Sequence, residues 1–340
     1  MRSNESSGDF LTKIRRKSVA VVYTFQNEDS PGFGHYDYWT FGVVSDWVRA
    51  VEQLGCVPYV LDVRTFGHKA LNGTLPPVDF IVNLNAGNLS LSTLGVVPSL
   101  AGFLDIPCLP NAVLATVAGE SKGLSNKVAE ALGLNVPTPL SASDPDGIFK
   151  PDNLGSSRGV TKGKVADPMG GLYQSFIPGV DFTVPFLHNP RSGRLEALPG
   201  IAYLPENGDV NWFLGDEEKK KRAGYQKVAA RVDAAVAQAF RSLAEQFQIN
   251  TLCRIDTRLR CDSMEQCHRL LAAPISMNAL YFIEINAMPT ICEGMNFCNA
   301  LDVLDSTNPL AAVFQDISGH ISGLLKTTFV LYCAMRAHMR

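Results

Sequence analysis

Three oxygen-bearing side chains stand out in the last third of the chain: Asp256 inside "CRIDTRL", and Glu284 and Asn286 two apart in "YFIEINAMP". Ionised and amide side chains avoid the ends of apolar runs unless something there needs their oxygens. Both segments read as strands, in which residues two apart share a face. If the two strands are neighbours, Glu284 and Asn286 project together towards Asp256, and Arg254 joins them. Two carboxylates and a carboxamide are hard donors suited to magnesium carrying a nucleotide's phosphates. Arg254 would meet developing negative charge; a structural ion pair with one of the acids is the competing reading.

A second group lies upstream. "GIFKPDNLGSSRGVTKG" puts Lys150 at the end of an apolar run, followed by a turn of Gly155, Ser156 and Ser157. Free backbone N–H groups, two hydroxyls and a lysine are what a phosphate tail needs, although Gly-Ser turns are commonly plain loops. The pattern is not the Walker one, because "TKGKV" lacks the upstream glycine and the Gly-Lys-Ser/Thr ending.

The elements that must hold these groups follow from periodicity. "VAVVYTF" reads as a buried strand, residues 39–54 as a helix and "VPYVLDV" as a second strand, with "DFIVNLN" and "IPCL" as two more. The first 110 residues therefore predict an open, mostly parallel sheet. Its first turn, "QNEDSPGFGHYD", is long and polar but lacks the glycine fingerprint of a dinucleotide site, which argues against a nicotinamide dehydrogenase. Residues 111–134 read as helical, "YQSFIPGVDFTVPFLH" as strand, turn and strand, and Lys220 to Gln248 as one long helix. An α+β C-terminal domain with a helical tail after about residue 297 completes the expectation.

In that order the motifs resemble the ATP-grasp superfamily, and within it the D-alanine–D-alanine ligase branch, over roughly residues 19–300. "FKPDNLGSSRGV" is similar to the family's lysine-proline and glycine-serine loop, "FIPGVDFTV" to its nucleotide hinge, and "CRIDTRL" and "YFIEINAMP" to its metal-binding strands. The resemblance implies an α/β plus α+β protein of the ATP-grasp fold. Its parts would be a leader (1–18), an N-terminal open parallel sheet (19–111), a small central lid (112–179) and a C-terminal catalytic domain (180–340). It implies ATP and two magnesium ions, with manganese as an alternative, held by Asp256, Glu284 and Asn286. Lys122 and Lys150 would reach the phosphates under the loop of Gly155, Ser156 and Ser157, with Ser156 and Arg254 in catalytic roles. Gln174 stands where the family often has a glutamate facing the adenine amino group; Ser175 and Ile177 offer backbone contacts, and Asp181 replaces a glutamate that holds the ribose. One of Lys219, Lys220 and Lys221 would supply a mobile-loop lysine.

The chain also departs from the family. Pro289-Thr290 and Met295-Asn296 replace a proline-glycine and a polar residue that grips a substrate carboxylate, so Thr290 and Asn296 are the candidates there. The family's ammonium-binding glutamate and histidine-glycine segment have no clear match; Asp37, or else Glu28 or Asp29, would receive an amine while His35 and Tyr36 shape a different pocket, and ordinary polar residues of a solvated loop are the competing reading. The segments 139–150 and 159–174 are short, which implies a reduced lid. These changes point from the cell-wall dipeptide towards a specialised-metabolite ligase for an amino-acid derivative. An ATP-dependent small-molecule kinase and a non-catalytic ATP-binding protein are the rivals.

Bulk properties agree. The 340 residues, 46% hydrophobic and 19% charged with net charge −3, carry no basic surplus for nucleic acid or an anionic membrane. Small amino-acid-like partners are expected, with a homodimer as the family habit. The start, "MRSNESSGDFLTKIRRKS", lacks the apolar core of a signal peptide, and eight scattered cysteines suit reduced thiols, so a cytoplasmic location is expected. Cys261, Cys267 and His268 do not have zinc-knuckle spacing.

Overall fold

The computed structural model describes residues 7–24, 41–87, 91–152, 154–155, 157–164, 170–221, 223–291, 294–318 and 323–339. Helix α1 (Ser7–Ile14) leads into strand β1 (Ser18–Tyr23), then α2 (Phe41–Gln53), β2 (Val57–Asp62), α3 (Val63–Leu71), β3 (Phe80–Leu84), α4 (Leu91–Leu94), α5 (Val96–Phe103) and β4 (Cys108–Leu109). The four strands pair in parallel in the order β2-β1-β3-β4. The middle of β1, Val19 to Val22, is apolar because both of its faces are covered: Val19 and Val21 pack with Trp47 of α2, while Ala20 and Val22 pack with Phe66 of α3. Strand order reverses between β1 and β3, where open α/β sheets take ligands beyond the strand ends. Thr24 Oγ1 donates to Asn85 Oδ1 across that point at 2.6 Å.

Next come α6 (Val113–Glu120) and α7 (Lys122–Ala131), then β5 (Gly147–Pro151), β6 (Thr161–Lys162) and β7 (Gly171–Ser175), an antiparallel sheet in the order β6-β5-β7. Among the described residues no helix interrupts this small sheet. Both α6 and α7 pack on a strand of the following domain, and α7 also touches β7.

The C-terminal part contains β8 (Gly179–Asn189), β9 (Arg194–Ala197), β10 (Gly200–Pro205), α8 (Asp216–Lys221), β11 (Tyr225–Ala230), α9 (Ala234–Gln246), β12 (Leu252–Arg260), α10 (Met264–Leu271) and β13 (Leu280–Asn286). It ends in α11 (Asn296–Asp302), α12 (Ala311–Ser318) and α13 (Gly323–His338). The strands form an antiparallel sheet in the order β11-β10-β8-β12-β13, with β9 on β8. One face, including Phe182, Val184, Phe186, Cys253 and Ile255, buries itself against Phe240 and Leu243 of α9. The other face carries the polar groups described below.

Three expectations change. Residues 7–14 are not part of a free leader: Phe10 and Ile14 are buried, and the Phe10 ring meets Tyr332 of α13 edge-on at 4.8 Å. That partner is too far along the chain for any local window to reveal. The long helix from Lys220 is divided, because Gly224 takes φ +84° and Asp233 caps a fresh start by accepting from Val236 N–H at 2.8 Å. β11 lies between. The helical run 111–134 likewise breaks at Ser121, whose hydroxyl caps α7.

The N-terminal part is fastened to the C-terminal sheet by Asn111. Its Nδ2 donates to Leu252 O at 2.8 Å and Ala287 O at 2.7 Å, and its Oδ1 accepts from Thr251 Oγ1 at 2.9 Å. A buried amide with all three contacts made fixes β12, β13 and the chain entering α6 together. No helix among the described residues is long and apolar enough to cross a membrane, and the described cysteines identified as free are buried.

Candidate active site

β12 and β13 pair antiparallel with Arg254 opposite Asn286 and Asp256 opposite Glu284, so all four side chains share one sheet face. The register shifts at Asp256/Thr257, leaving Ile283 as an extra residue. The bulge lets Ile283 and Glu284 both line one cleft. Across β8, Asp256 faces Thr183 and Arg258 faces Asp181, which extends the polar face away from the metal-type ligands.

The charges are arranged in pairs. Arg254 grips Asp256 with two hydrogen bonds, Nε to Oδ1 at 2.8 Å and Nη2 to Oδ2 at 2.7 Å, and Thr183 adds its hydroxyl at 2.5 Å. Burial works against the guanidinium charge, yet Asp256 wins and holds Arg254 above its ordinary range. The ion pair weighed from sequence is therefore present, on the face where an oxyanion would need Arg254. Glu284 meets Lys122 Nζ at 2.9 Å. Burial opposes its ionisation, but the Lys122 ammonium, with Lys219 and Arg254, brings the carboxyl down to about 2. Asn286 uses Oδ1 to accept from Met288 N–H at 2.9 Å, which fixes the turn leaving β13.

Lys122 owes its place to the end of β5. Asp152 Oδ1 accepts from Gly123 N–H at 2.6 Å and Oδ2 from Ser121 Oγ at 3.1 Å, anchoring the first turn of α7. Lys122 Nζ then reaches Leu154 O at 2.8 Å. Lys150 is 6% exposed, lines the cleft, and has neither a hydrogen bond nor an ion pair among the described residues. Burial, opposed by Glu284 and reinforced by Lys122, lowers it to about 8. Ser157, on the glycine-serine turn at φ 61°, donates to Leu214 O at 2.9 Å and accepts from Lys219 Nζ at 2.7 Å. Lys219 is thus brought to the turn. The side chain of Lys220 lies outside the described residues, and Lys221 is exposed.

At the other end of the cleft, Ser175, Phe176 and Ile177 form one wall and Asp181 the floor. Gln174 is not on that wall. It is buried against α7, where Nε2 donates to Asn126 Oδ1 at 3.1 Å and Pro137 O at 3.2 Å, and its Oε1 has no partner. Gly155 sits in the turn, accepting from Arg158 N–H at 3.1 Å, and does not line the cleft. Asn296 is buried, with Oδ1 accepting from the Tyr203 hydroxyl, and Thr290 is half-buried after Pro289. Glu28, Asp29, His35, Tyr36, Asp37 and Ser156 lie outside the described residues.

Two groups were not legible as functional in the sequence. Glu120, the last residue of α6, accepts from Ala287 N–H at 2.8 Å. Burial and then the charge of Glu284 push it up to about 7, against the pull of Lys122. Arg258 crosses the floor of the cleft. Its spacing from Asp256, two residues along a strand, was the available signal.

Asp256, Glu284 and Asn286 offer hard oxygens on one face, as a divalent cation brought in with phosphates requires. Lys150 is a buried ammonium still wanting an anion. Both observations fit magnesium and a nucleoside triphosphate, although among the described residues no three His, Cys, Asp or Glu cluster as a metal site on their own. A pH effect follows. In the free protein Lys150 is charged below about 8, and a bound phosphate would raise that value. Affinity for ATP with magnesium is therefore expected to hold level at low pH and weaken above about pH 8, approaching tenfold per unit. Glu120 ionising near 7 acts in the same direction. Titration calorimetry from pH 6 to 9 checks this, and Lys150→Met should flatten the upper step.

No family model and no curated protein matches the chain. Solved structures do. D-alanine–D-alanine ligase from Bacillus anthracis complexed with ATP superposes with a TM-score of 0.60 at 14% identity, covering 95% of this chain and 99% of that one. D-alanyl-alanine synthetase A from Vibrio cholerae gives 0.62 at 14%, covering 96% and 99%. VanG D-Ala:D-Ser ligase from Enterococcus faecalis gives 0.57 at 14%, covering 94% and 100%. With the parallel sheet, the small antiparallel sheet and the larger antiparallel sheet following one another in the same chain, this protein has the ATP-grasp fold of the D-alanine–D-alanine ligases.

Proposed function

We propose that this protein is an ATP-dependent carboxylate–amine ligase acting on an amino acid or amino-acid derivative, in specialised metabolism, by joining two molecules or closing one. The observation that carries the reading is the shared face: Arg254, Asp256, Glu284 and Asn286 stand together beside a cleft in which the buried Lys150 makes no hydrogen bond or ion pair among the described residues. The likeness to ligase structures supports it at the level of reaction class.

Lys122, Lys150 and Lys219 would hold the triphosphate, with Ser157 closing the turn over it. A divalent cation held by Asp256, Glu284 and Asn286 would neutralise phosphate charge as it develops. The donor carboxylate attacks the γ-phosphorus, the bond to ADP breaks, and an acyl phosphate results. The amine then attacks the acyl carbon, Arg254 faces the tetrahedral oxyanion, and phosphate leaves as the amide forms. The strand ends at the β1/β3 reversal come close to this face, since Asn83 Nδ2 contacts Met288 Sδ at 3.1 Å, and they are assigned to the amino-acid-like substrate.

Phosphate release from ATP and magnesium, across L- and D-amino acids and their derivatives singly and in pairs, tests the proposal when joined to mass spectrometry. A product lighter than its components by one water is expected. A stable phosphate ester would establish a kinase instead, and ATP binding without phosphate release from any of them would favour the non-catalytic reading.

A further inference from the structure

We propose that Asn126 is a positioning residue: by holding the bulge in β13 it turns Glu284 and Asn286 out of the core and onto the face they share with Asp256. The proposal rests on the metal reading of that face given above. Side chains of a strand alternate between its two faces, yet β13 breaks the alternation. Leu280 and Phe282 are buried in the core against α9, and so are Ile285 and Ala287. The change of parity falls at Ile283, the extra residue of the bulge. Were the pairing of Thr257 with Phe282 continued without it, Glu284 would stand opposite Ile255 and Asn286 opposite Cys253, both of which point into that core. Two of the three proposed metal ligands therefore depend on one inserted residue.

β13 is an edge strand of its sheet, so no further strand fixes the bulge from outside. Its outer backbone groups are met by neighbouring residues instead, and they record the same switch. Before the bulge the even-numbered residues face outward: Leu280 O accepts from Asn135 Nδ2 at 3.1 Å, and Phe282 N–H donates to Asn135 O at 2.8 Å. After it the odd-numbered Ala287 does so, donating its N–H to Glu120 and accepting from Asn111. At the bulge itself the partner is Asn126, whose Nδ2 donates to Ile283 O at 2.9 Å. Asn126 is 5% exposed; Nδ2 also donates to Lys122 O at 2.9 Å, and Oδ1 accepts from Gln174 Nε2 at 3.1 Å. Each polar atom of the amide is thus engaged, which fixes its orientation. Without the Nδ2 donor, Ile283 O loses its outer partner. In the regular register that carbonyl would turn towards β12, so slipping back relieves the loss and carries Glu284 and Asn286 away from Asp256.

The test is equilibrium binding of ATP to the full chain, once with manganese and once with a chelator and no metal. The ratio of the two affinities reports the metal ligands apart from the lysines. Manganese is expected to tighten binding to the wild type, and Asn126→Ala to cut that gain by roughly 10- to 100-fold, the scale for removing a group that orients metal ligands. Asn135→Ala is the comparison, because its Nδ2 also makes two hydrogen bonds to backbone carbonyls, those of Met277 and Leu280, but ahead of the bulge. It should keep the ratio within about threefold of wild type, whatever it does to the melting temperature. A folded Asn126→Ala protein with the wild-type ratio overturns the proposal, and so does an equal fall in Asn135→Ala, which would make the effect one of general loosening. Should Asn126→Ala not fold, Asn126→Asp decides: it keeps the volume and the acceptor for Gln174 but removes the amide donor to Ile283 O, and a preserved ratio counts against the proposal. If manganese gives the wild type no gain at all, the metal reading itself fails and this inference falls with it.

Discussion

Replacing Glu284 by glutamine is expected to stop turnover while leaving the protein folded. Glu284 faces Asp256 across β12 and β13, lines the cleft and meets Lys122 at 2.9 Å, so it is the acid shared by the proposed metal ligands and the lysines proposed to hold phosphate. Glutamine has the same volume and can still accept from Lys122, but it brings no charge. Loss of the counter-charge to a buried lysine is expected to cost about 1–3 kcal/mol of stability, limited because the side chain of Glu284 is 26% exposed and Lys122 keeps its bond to Leu154 O. Turnover is expected to fall by on the order of 10^3-fold, the scale for removing one electrostatic contact made to transition-state charge. Phosphate release with the substrate pair that the wild type uses, set beside a circular-dichroism melt, reads both effects. A folded variant within about tenfold of wild type would remove Glu284 from the centre of the site.

Gly179→Ala should have the largest effect on stability. Gly179 opens β8 at φ +135°, a backbone region closed to side-chain-bearing residues, and an added Cβ would stand 2.0 Å from Leu259 O on the neighbouring strand. Leu259 O is backbone inside a paired ladder and the Cβ is fixed by its own backbone, so no side-chain movement can absorb the overlap. β8 is the central strand of the C-terminal sheet and Gly179 O accepts from Arg258, so relief by moving the chain would disturb the floor of the cleft as well. A loss of roughly 4 kcal/mol or more is expected, from overpacking together with strain. Urea unfolding of the soluble fraction measures it, and a midpoint unchanged from wild type would show that the strand start relaxes freely.

Much of this arrangement was visible in the residues themselves. Alternation placed Glu284 and Asn286 on one face, and the structure sets that face opposite Arg254 and Asp256. The turn after Lys150 and the apolar strands of the first sheet were legible for the same reason: local pattern and local geometry agree there. What escaped depended on distant partners. Glu120 ends an ordinary apolar helix and becomes special only because Ala287 and Glu284 lie beside it. Gln174 was placed by motif position at the base, whereas Asn126 of α7 takes its amide. The bulge at Ile283 has no signature in a seven-residue strand, and β11 was hidden in a pattern that also suits a helix.

The ring contact between Phe10 and Tyr332 joins the first described helix to the last. α13 packs on α2 of the N-terminal domain as well as on β8, so the outer side of α2 is covered by residues 323–338. Translation delivers those residues after every strand of the first sheet, and the closing of so long a loop cannot be compensated until they arrive. The first domain is therefore expected to wait on the ribosome with the outer side of α2 uncovered, a client for chaperones rather than an early-folding unit. Nascent chains stalled before residue 323 should show it by protease sensitivity within the first hundred residues that a released chain has lost; equal resistance in both would mean that the early sheet closes without its final helix.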